Sequence, residues 1–152
     1  MNENCPICNF LEKPVNQILI TDYWSVGLTN DQPYLGRARV TLKNHKSNLG
    51  ELSDEEIIDF RVVVAKIEAA YKNTFSSDLL NWACLMNKEY QKPTPNPHLY
   101  WHLFPRYSNP INIGDILFED KEYGNHYDPS KIQLVDDKTL NLIIQRLTQQ
   151  LT

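Results

Sequence analysis

Short stretches in which apolar and polar residues alternate make up much of the first third of this chain. Alternation with a period of two is typical of strands, whose successive side chains point to opposite faces. It predicts strands over 16–22, 24–29 and 36–43, with turns at Asp22-Tyr23 and at 30–33. Two further strands are predicted over 78–87 and 96–107, with a proline-rich loop between them.

A longer stretch over 52–75 has the spacing of an amphipathic helix. Ser53 and Glu56 form a capping box, which predicts that the helix begins there. Its apolar residues recur at helical spacing and predict one buried stripe: Ile57, Phe60, Val64, Ile67 and Tyr71. A second helix is predicted over 137–151, and residues 107–131 are rich in turns. Together these elements predict an α+β fold in which one antiparallel sheet packs with helices, as a single domain over 1–152.

Composition narrows the classes of function. The 152 residues are 41% hydrophobic and 22% charged, as in an ordinary globular domain. The net charge of −4 argues against a general binder of nucleic acid or of anionic membranes. No apolar run approaches the roughly 20 residues of a membrane helix, and the first residues lack the pattern of a signal peptide. We therefore expect a cytoplasmic protein without membrane or nucleic-acid partners.

The three cysteines do not suggest a disulfide framework, because their number is odd and the expected compartment is reducing. Cys84 lies among apolar residues and is expected to be a small buried side chain. Cys5 and Cys8 have the spacing of two cysteines that bind one tetrahedral zinc ion. The same spacing also occurs in redox-active cysteine pairs. A redox pair would open a helix after a strand, and no strand is predicted before Cys5. Spacing alone also leaves open that both are ordinary terminal thiols.

The stretch NPHLYWHLFPRY over 96–107 places different chemistry on its two faces. If it is a strand, one face carries His98, Tyr100 and His102. The opposite face carries Leu99, Trp101 and Leu103, which are suited to burial. The polar face is compatible with an active site, with a metal site, or with a core strand that carries histidines.

This stretch resembles the signature strand of the histidine triad (HIT) superfamily, His-φ-His-φ-His-φ-φ, where φ is apolar. Residues 36–56 resemble the strand, loop and capped helix of that family, and 81–87 the strand that precedes the triad. The CPIC motif resembles the zinc-binding start of many bacterial members. The resemblance covers residues 5 to about 107 in order. It implies a HIT-like fold, with about five antiparallel strands, one long central helix and a C-terminal helix, assembled as a homodimer.

The resemblance also implies ligands and chemistry. It implies a structural zinc ion held by Cys5, Cys8, His45 and His98. Members bind nucleoside phosphates and cleave or transfer nucleotidyl groups through a covalent histidine intermediate. The middle histidine is the nucleophile, the third holds the phosphate, and an asparagine of the preceding strand supports the site. The third histidine corresponds to His102, and Asn87 or Asn81 matches the asparagine.

The chain departs from the family pattern at two positions. Tyr100 stands where the nucleophilic histidine is expected, and Arg37 stands where many members carry a fourth histidine. A phenol has an ordinary pKa near ~10 and an imidazole near ~6.5, so a tyrosine is a much poorer nucleophile at neutral pH. A tyrosyl ester is also a poorer leaving system than a phosphohistidine.

We therefore expect a nucleotide-binding protein with weakened or altered nucleotidyl hydrolase or transferase chemistry, of the phosphoramidate or dinucleoside polyphosphate type. Tyr100 and His102 are the catalytic candidates, and Asn87, Arg37 and His102 the candidates for ligand binding. The alternative is a catalytically inactive, zinc-stabilised module for ligand binding or protein interaction.

Several other side chains have two interpretations each. Arg37 and Arg39 alternate onto one face of a strand and either aim at a phosphate or are solvated. Arg106 contacts a ligand or pairs with a carboxylate. Trp82 and Trp101 are expected in the core or at a dimer interface, and His126 is expected to be a hydrogen-bonded loop residue.

Overall fold

The structure is a computed structural model that describes residues 4–151. Five strands form one antiparallel sheet: β1 (Gln17–Ile20), β2 (Trp24–Leu28), β3 (Ala38–Leu42), β4 (Leu79–Ala83) and β5 (Tyr100–Arg106). Their order is β1-β2-β3-β5-β4. The three helices are α1 (Pro6–Glu12), α2 (Asp54–Phe75) and α3 (Asp137–Thr148). The predicted α+β architecture and all five predicted strands are confirmed.

Strand register decides which side chains share a face. In the pairing of β3 with β5, Arg39 lies opposite His102 and Thr41 lies opposite Tyr100. Residues paired in this way point to the same side of a sheet. These polar side chains therefore form one face, which we call the polar face. The alternate positions, such as Val40 and Trp101, lie on the other face.

Helix α2 begins with the predicted capping box. The side chain of Ser53 accepts a hydrogen bond from Glu56 N, and the Glu56 carboxylate accepts one from Ser53 N. The predicted stripe is wrong at its first position, because Ile57 is 51% exposed. The fully buried positions are Glu56, Val63, Ile67, Ala70, Tyr71 and Phe75. Because Glu56 takes the first inward position, the helical repeat puts Ile57 on the solvent side.

Aromatic side chains connect α2 to the sheet. The Phe60 ring stacks on Trp101 at 5.2 Å between centroids and meets Trp82 edge-on at 5.8 Å. It also lies 4.8 Å from the ring of Trp24. Aromatic pairs at these distances stabilise a core beyond the area that they bury. The structure thus packs Trp82 and Trp101, both half-buried, against the core between α2 and the sheet.

The C-terminal third is more regular than its turn-rich sequence predicts. A short hairpin forms from β6 (Ile111–Ile113) and β7 (Ile116–Phe118). Strands of three residues are too short for alternation to identify. Helix α3 starts at its Asp136 cap and ends at Thr148, slightly before the predicted limit. Within residues 4–151, no helix is both long and apolar enough to cross a membrane.

Candidate metal centre and ligand-binding face

Two cysteines and two histidines converge in the structure, and their ligand atoms all lie within 4.8 Å of one another. His98 Nδ1 is 3.5 Å from Cys5 Sγ and 3.5 Å from Cys8 Sγ. His45 Nδ1 is 3.4 Å from Cys8 Sγ. A tetrahedral zinc ion with ordinary bond lengths places sulfur and nitrogen ligands about 3.6 Å apart. The four residues therefore fit a tetrahedral Cys₂His₂ metal centre.

Three separate elements bring these ligands together. Cys5 caps the N-terminus of α1, Pro6 occupies its first turn, and Cys8 follows one turn later on the same face. His45 lies in the loop after β3, and His98 lies just before β5 begins. The expectation that His98 belongs to the strand is therefore wrong by two residues. This position separates His98 from the strand residues Tyr100 and His102.

The hydrogen bond and the burial of His98 favour the neutral form of the ring, which is the form that binds a metal. Its Nε2 lies 2.7 Å from the carbonyl oxygen of Leu42, so Nε2–H donates to that carbonyl and Nδ1 carries the lone pair. Burial lowers the pKa of His98, which keeps the ring neutral. A neutral imidazole with one nitrogen fixed by a backbone carbonyl is the usual form of a histidine metal ligand.

The start of α1 matches one part of the pattern expected of a redox pair, the helix that follows the first cysteine. The CPIC motif does open a helix, because Cys5 caps α1. The metal interpretation is instead supported by the two histidine nitrogens beside the sulfurs. A dithiol that works by redox exchange needs no such pair of imidazoles.

The polar face carries a cluster of positive charge around a half-buried imidazole, that of His102. The guanidinium of Arg39 lies 5.7 Å from the centre of the Tyr100 ring, and the Tyr100 and His102 rings are 5.0 Å apart. Burial lowers the pKa of His102 to about 4, and neighbouring positive charge adds to the effect. The charged groups are Arg39, Arg37 and Lys88. His102 is therefore neutral at pH 7, in a region of positive potential.

Arg39 has no carboxylate partner in the part of the chain that the structure describes. Arg37 differs, since its guanidinium pairs with Asp31 and lies 5.2 Å from the centre of the Phe104 ring. An arginine without a carboxylate, next to a neutral histidine, is a suitable partner for an anion.

A cavity of 410 Å³ lies between α1 and the polar face, within the usual size range of small-molecule sites. Helix α1 contributes Ile7 and Phe10, and the sheet contributes Gly27 and Arg39. At Gly27 a Cβ atom would come within 2.6 Å of Gln17 Nε2, so glycine allows this close approach. Tyr100 also lines the cavity. The cavity is thus largely apolar under α1, carries the charge of Arg39 on β3, and is bordered on β5 by the Tyr100 side chain.

Residues 119–131 cover the other end of the polar face. Arg106 is buried and makes a two-pronged ion pair with Asp120, which confirms the carboxylate interpretation. It also donates to the Asn81 side chain at 3.1 Å and to two backbone carbonyls of this segment. The segment places the Tyr127 ring on Phe104, with 4.0 Å between centroids. Arg106 therefore fixes the segment that closes this end.

The remaining predicted residues lie apart from this cluster. Asn87 is exposed in the turn after β4. The side-chain oxygen of Asn81 accepts a hydrogen bond from Arg106. His126 is exposed, and its Nδ1 lies 3.1 Å from the Tyr127 carbonyl, as expected for a hydrogen-bonded loop residue. Cys84 is half-buried, and burial raises the pKa of its thiol.

Sequence reasoning did not identify Phe10, Thr41 or Lys88 as residues of the site. Phe10 and Thr41 line the cavity, and the positive charge of Lys88 helps to lower the pKa of His102. Helix α1 is too short to show a clear period, and Lys88 lies in a loop. Only the position of Thr41 two residues after Arg39 on β3 could have placed it on the same face.

No protein-family model matches this sequence, and no curated protein matches it. Solved structures do match. A hypothetical histidine triad nucleotide-binding protein from Sulfolobus tokodaii has a TM-score of 0.68 at 15% identity, over 97% of this chain and 91% of that one. A zinc-bound histidine triad family protein from Mycobacterium smegmatis has a TM-score of 0.62 at 19% identity, over 96% and 94% of the two chains.

A third similar structure is the diadenosine triphosphate hydrolase of Plasmodium falciparum, solved with cyclomarin A. Its TM-score is 0.55 at 16% identity, over 90% of this chain and 74% of that one. Similarities at such low identity establish only the fold. The chemistry of the site must be inferred from the residues of this chain. The five-stranded antiparallel sheet with its long central helix is therefore a HIT-like fold.

Proposed function

We propose that this chain is a HIT family protein that binds a nucleoside phosphate on its polar face and holds a zinc ion on Cys5, Cys8, His45 and His98. The observation that carries the proposal is the position of Arg39, which lines the cavity, has no carboxylate partner within residues 4–151, and lies opposite the neutral His102. The proposal is also supported by similar structures. They include a nucleotide-binding protein, a zinc-bound protein and a dinucleotide hydrolase.

The cavity suits a ligand with an apolar and an anionic end. Ile7 and Phe10 offer apolar contacts to a base under α1. Arg39 and His102 then contact the phosphate, one by a charge-assisted hydrogen bond and the other as a neutral partner. Arg37 lies nearby, and its buried Nε has no hydrogen-bond partner in the described part of the chain. Asn87 remains a candidate contact from the turn after β4.

Zinc would have a structural role. Among residues 4–13, only Cys5 and Cys8 are buried, while Phe10 is 44% exposed. The two cysteine side chains are therefore the main attachment of α1 to the rest of the domain. Because α1 also covers the cavity, a metal ion on these cysteines would hold this cover in place. Zinc supplies this attachment, and no chemical step depends on it.

Tyr100 alters the chemistry in this proposal. It lies beside His102 and lines the cavity, so it can reach a bound ligand. A tyrosine hydroxyl is a weak nucleophile at neutral pH compared with an imidazole. We therefore propose slow hydrolase or transferase activity, with Tyr100 as the nucleophile or with neutral His102 as the base that activates water. The alternative is a zinc-stabilised module that binds ligand or protein without turnover.

We also propose that the protein is a cytoplasmic homodimer. Strand β4 lies at the edge of the sheet, where its outer hydrogen-bonding groups can pair with a second copy. Leu79 at its start is 47% exposed, next to a groove that includes Lys72. Analytical ultracentrifugation tests this directly, and a monomer at micromolar concentration would contradict it.

Calorimetry with AMP and with adenosine tests the proposed binding function. The zinc-loaded protein should bind AMP at least tenfold more tightly than adenosine, because only AMP offers a phosphate to Arg39 and His102. Arg39→Gln should remove most of this difference. Arg61→Gln, on the exposed side of α2, serves as the matched control. Equal affinities for AMP and adenosine, or no binding of either, would favour the interaction-module alternative.

A further inference from the structure

Glu56 is a buried carboxylate with more partners than its position requires. It lies in the first turn of α2 and is 2% exposed. The capping box accounts for one of its bonds, from Ser53 N at 2.9 Å. Two further bonds come from the loop that follows β3. Asn44 Nδ2 donates to Oε1 at 2.9 Å, and Lys46 Nζ donates to Oε2 at 2.6 Å.

The two loop residues that Glu56 binds are the immediate neighbours of His45. Asn44 precedes it and Lys46 follows it. Burial alone would raise the pKa of Glu56, but these hydrogen bonds outweigh burial and lower it, so the carboxylate is ionised. A buried, ionised carboxylate is costly unless its partners are held in place. The loop is therefore fixed on both sides of His45.

The same loop also contacts the segment that carries His98. The carbonyl oxygen of Lys46 accepts a hydrogen bond from Leu99 N at 2.8 Å, directly beside His98. Glu56 thus reaches the second histidine through Lys46 as well. Neither contact involves the metal ligands themselves, so Glu56 acts on them only through their neighbours.

We infer that Glu56 is a positioning residue of the metal centre, which holds the loop so that His45 Nδ1 stays beside Cys8 Sγ. This inference rests on the proposed zinc site. Without Glu56, the loop would have to become ordered when the metal binds, and the entropy lost would weaken binding. Removal of a residue that hydrogen-bonds a metal ligand directly typically costs 10–100-fold in metal affinity, and Glu56, which is one contact further out, should cost about tenfold.

Metal affinity is the readout, and a double-mutant cycle with His45 separates positioning of the ligand from a general loss of stability. Cobalt(II) and zinc(II) affinities are measured by competition with a chromophoric chelator, for the unaltered protein and for Glu56→Ala. The variant should bind both metals about tenfold more weakly. Glu68→Ala, an exposed glutamate of the same helix, should bind with unchanged affinity. If Glu56→Ala does not fold, Glu56→Gln keeps an acceptor for Ser53 N and gives a smaller loss in the same direction.

A double-mutant cycle decides whether the effect passes through His45. In a His45→Ala background, Glu56→Ala should cause a clearly smaller further loss of metal affinity, because one of the two histidines that it helps to hold is absent. An equal loss in both backgrounds, or wild-type affinity in Glu56→Ala, would overturn the inference while leaving the zinc site intact. If cobalt gives no thiolate charge-transfer absorption and His45→Ala has no effect, the proposed zinc site fails, and this inference fails with it.

Discussion

Arg39 lies directly opposite His102 across strands β3 and β5, on the face that also carries Tyr100. The pairing puts a guanidinium without a carboxylate partner, in the part of the chain that the structure describes, beside an imidazole whose pKa is lowered to about 4. The guanidinium of Arg39 attracts an anion, and the neutral imidazole of His102 offers one N–H as a further hydrogen-bond donor. This relationship is the basis of the proposed phosphate site.

The first prediction concerns the protonation of His102. Burial is the largest cause of its lowered pKa, and Arg39 is the next. Arg39→Gln should therefore raise the pKa of His102 from about 4 towards the ordinary histidine value near ~6.5. NMR titration of the His102 Cε1 proton measures the change. The same pKa in both proteins would show that Arg39 does not act on His102.

The lowered pKa of His102 also has a consequence for stability. Between about pH 6.5 and 4, the unfolded chain binds a proton at His102 that the folded chain does not. The free energy of unfolding should therefore fall as the pH falls through this window. Urea denaturation of the unaltered protein and of His102→Gln measures this contribution, which should be absent in the variant.

The second prediction concerns metal removal. Because α1 covers the cavity and is attached mainly through Cys5 and Cys8, chelation should weaken AMP binding. Calorimetry of the zinc-loaded and metal-free proteins should show at least a tenfold loss. Circular dichroism at the same temperature checks that the sheet stays folded. A folded, metal-free protein that binds AMP with full affinity would show that α1 needs no metal to cover the site.

The third prediction concerns the buried ion pair of Arg106 with Asp120. Arg106→Met leaves the Asp120 carboxylate buried without its partner, and loss of one member of such a pair typically costs about 3–5 kcal/mol of unfolding free energy. Urea denaturation measures the loss. Lys121→Ala breaks an exposed pair with Glu119 and should change stability by less than about 1 kcal/mol. Equal effects of the two substitutions would contradict the account of Arg106.

The fourth prediction concerns Tyr100. If Tyr100 is what limits catalysis, Tyr100→His should hydrolyse adenosine phosphoramidate or diadenosine tetraphosphate at least tenfold faster than the unaltered protein. The physical reason is the lower pKa and greater nucleophilicity of imidazole at pH 7. His102→Ala within the Tyr100→His variant serves as the control and should lose the gain. If Tyr100→His gains no activity, other residues of the site also depart from a working enzyme.

The sequence predicts the fold of this chain well where patterns are long. The capping box of Ser53 and Glu56 and the alternation along β3 and β5 lead to the correct elements. The hairpin of β6 and β7 escapes prediction because each strand has only three residues. Ile57 is placed incorrectly because one carboxylate, Glu56, is buried where an apolar residue is expected.

The complete set of metal ligands could be predicted only from the resemblance to the HIT superfamily, not from residue spacing. Spacing identifies Cys5 and Cys8 as a pair, but it does not show that His45 and His98 approach them from two other elements. Such proximity depends on how β3, β5 and α1 pack. The same is true of Arg37 and Arg39, which alternate identically in the sequence. Only the structure shows that Arg37 pairs with Asp31 while Arg39 faces His102.

The most direct test of the central claim is an NMR titration of the zinc-loaded, ¹⁵N-labelled protein with AMP, since it locates a bound ligand even at millimolar affinity. The account predicts that amide shifts concentrate at residues lining the cavity and the polar face, such as Ile7, Gly27, Arg39 and His102. Shifts concentrated instead on the exposed side of α2 near Val62, or no shifts at millimolar AMP, would contradict it.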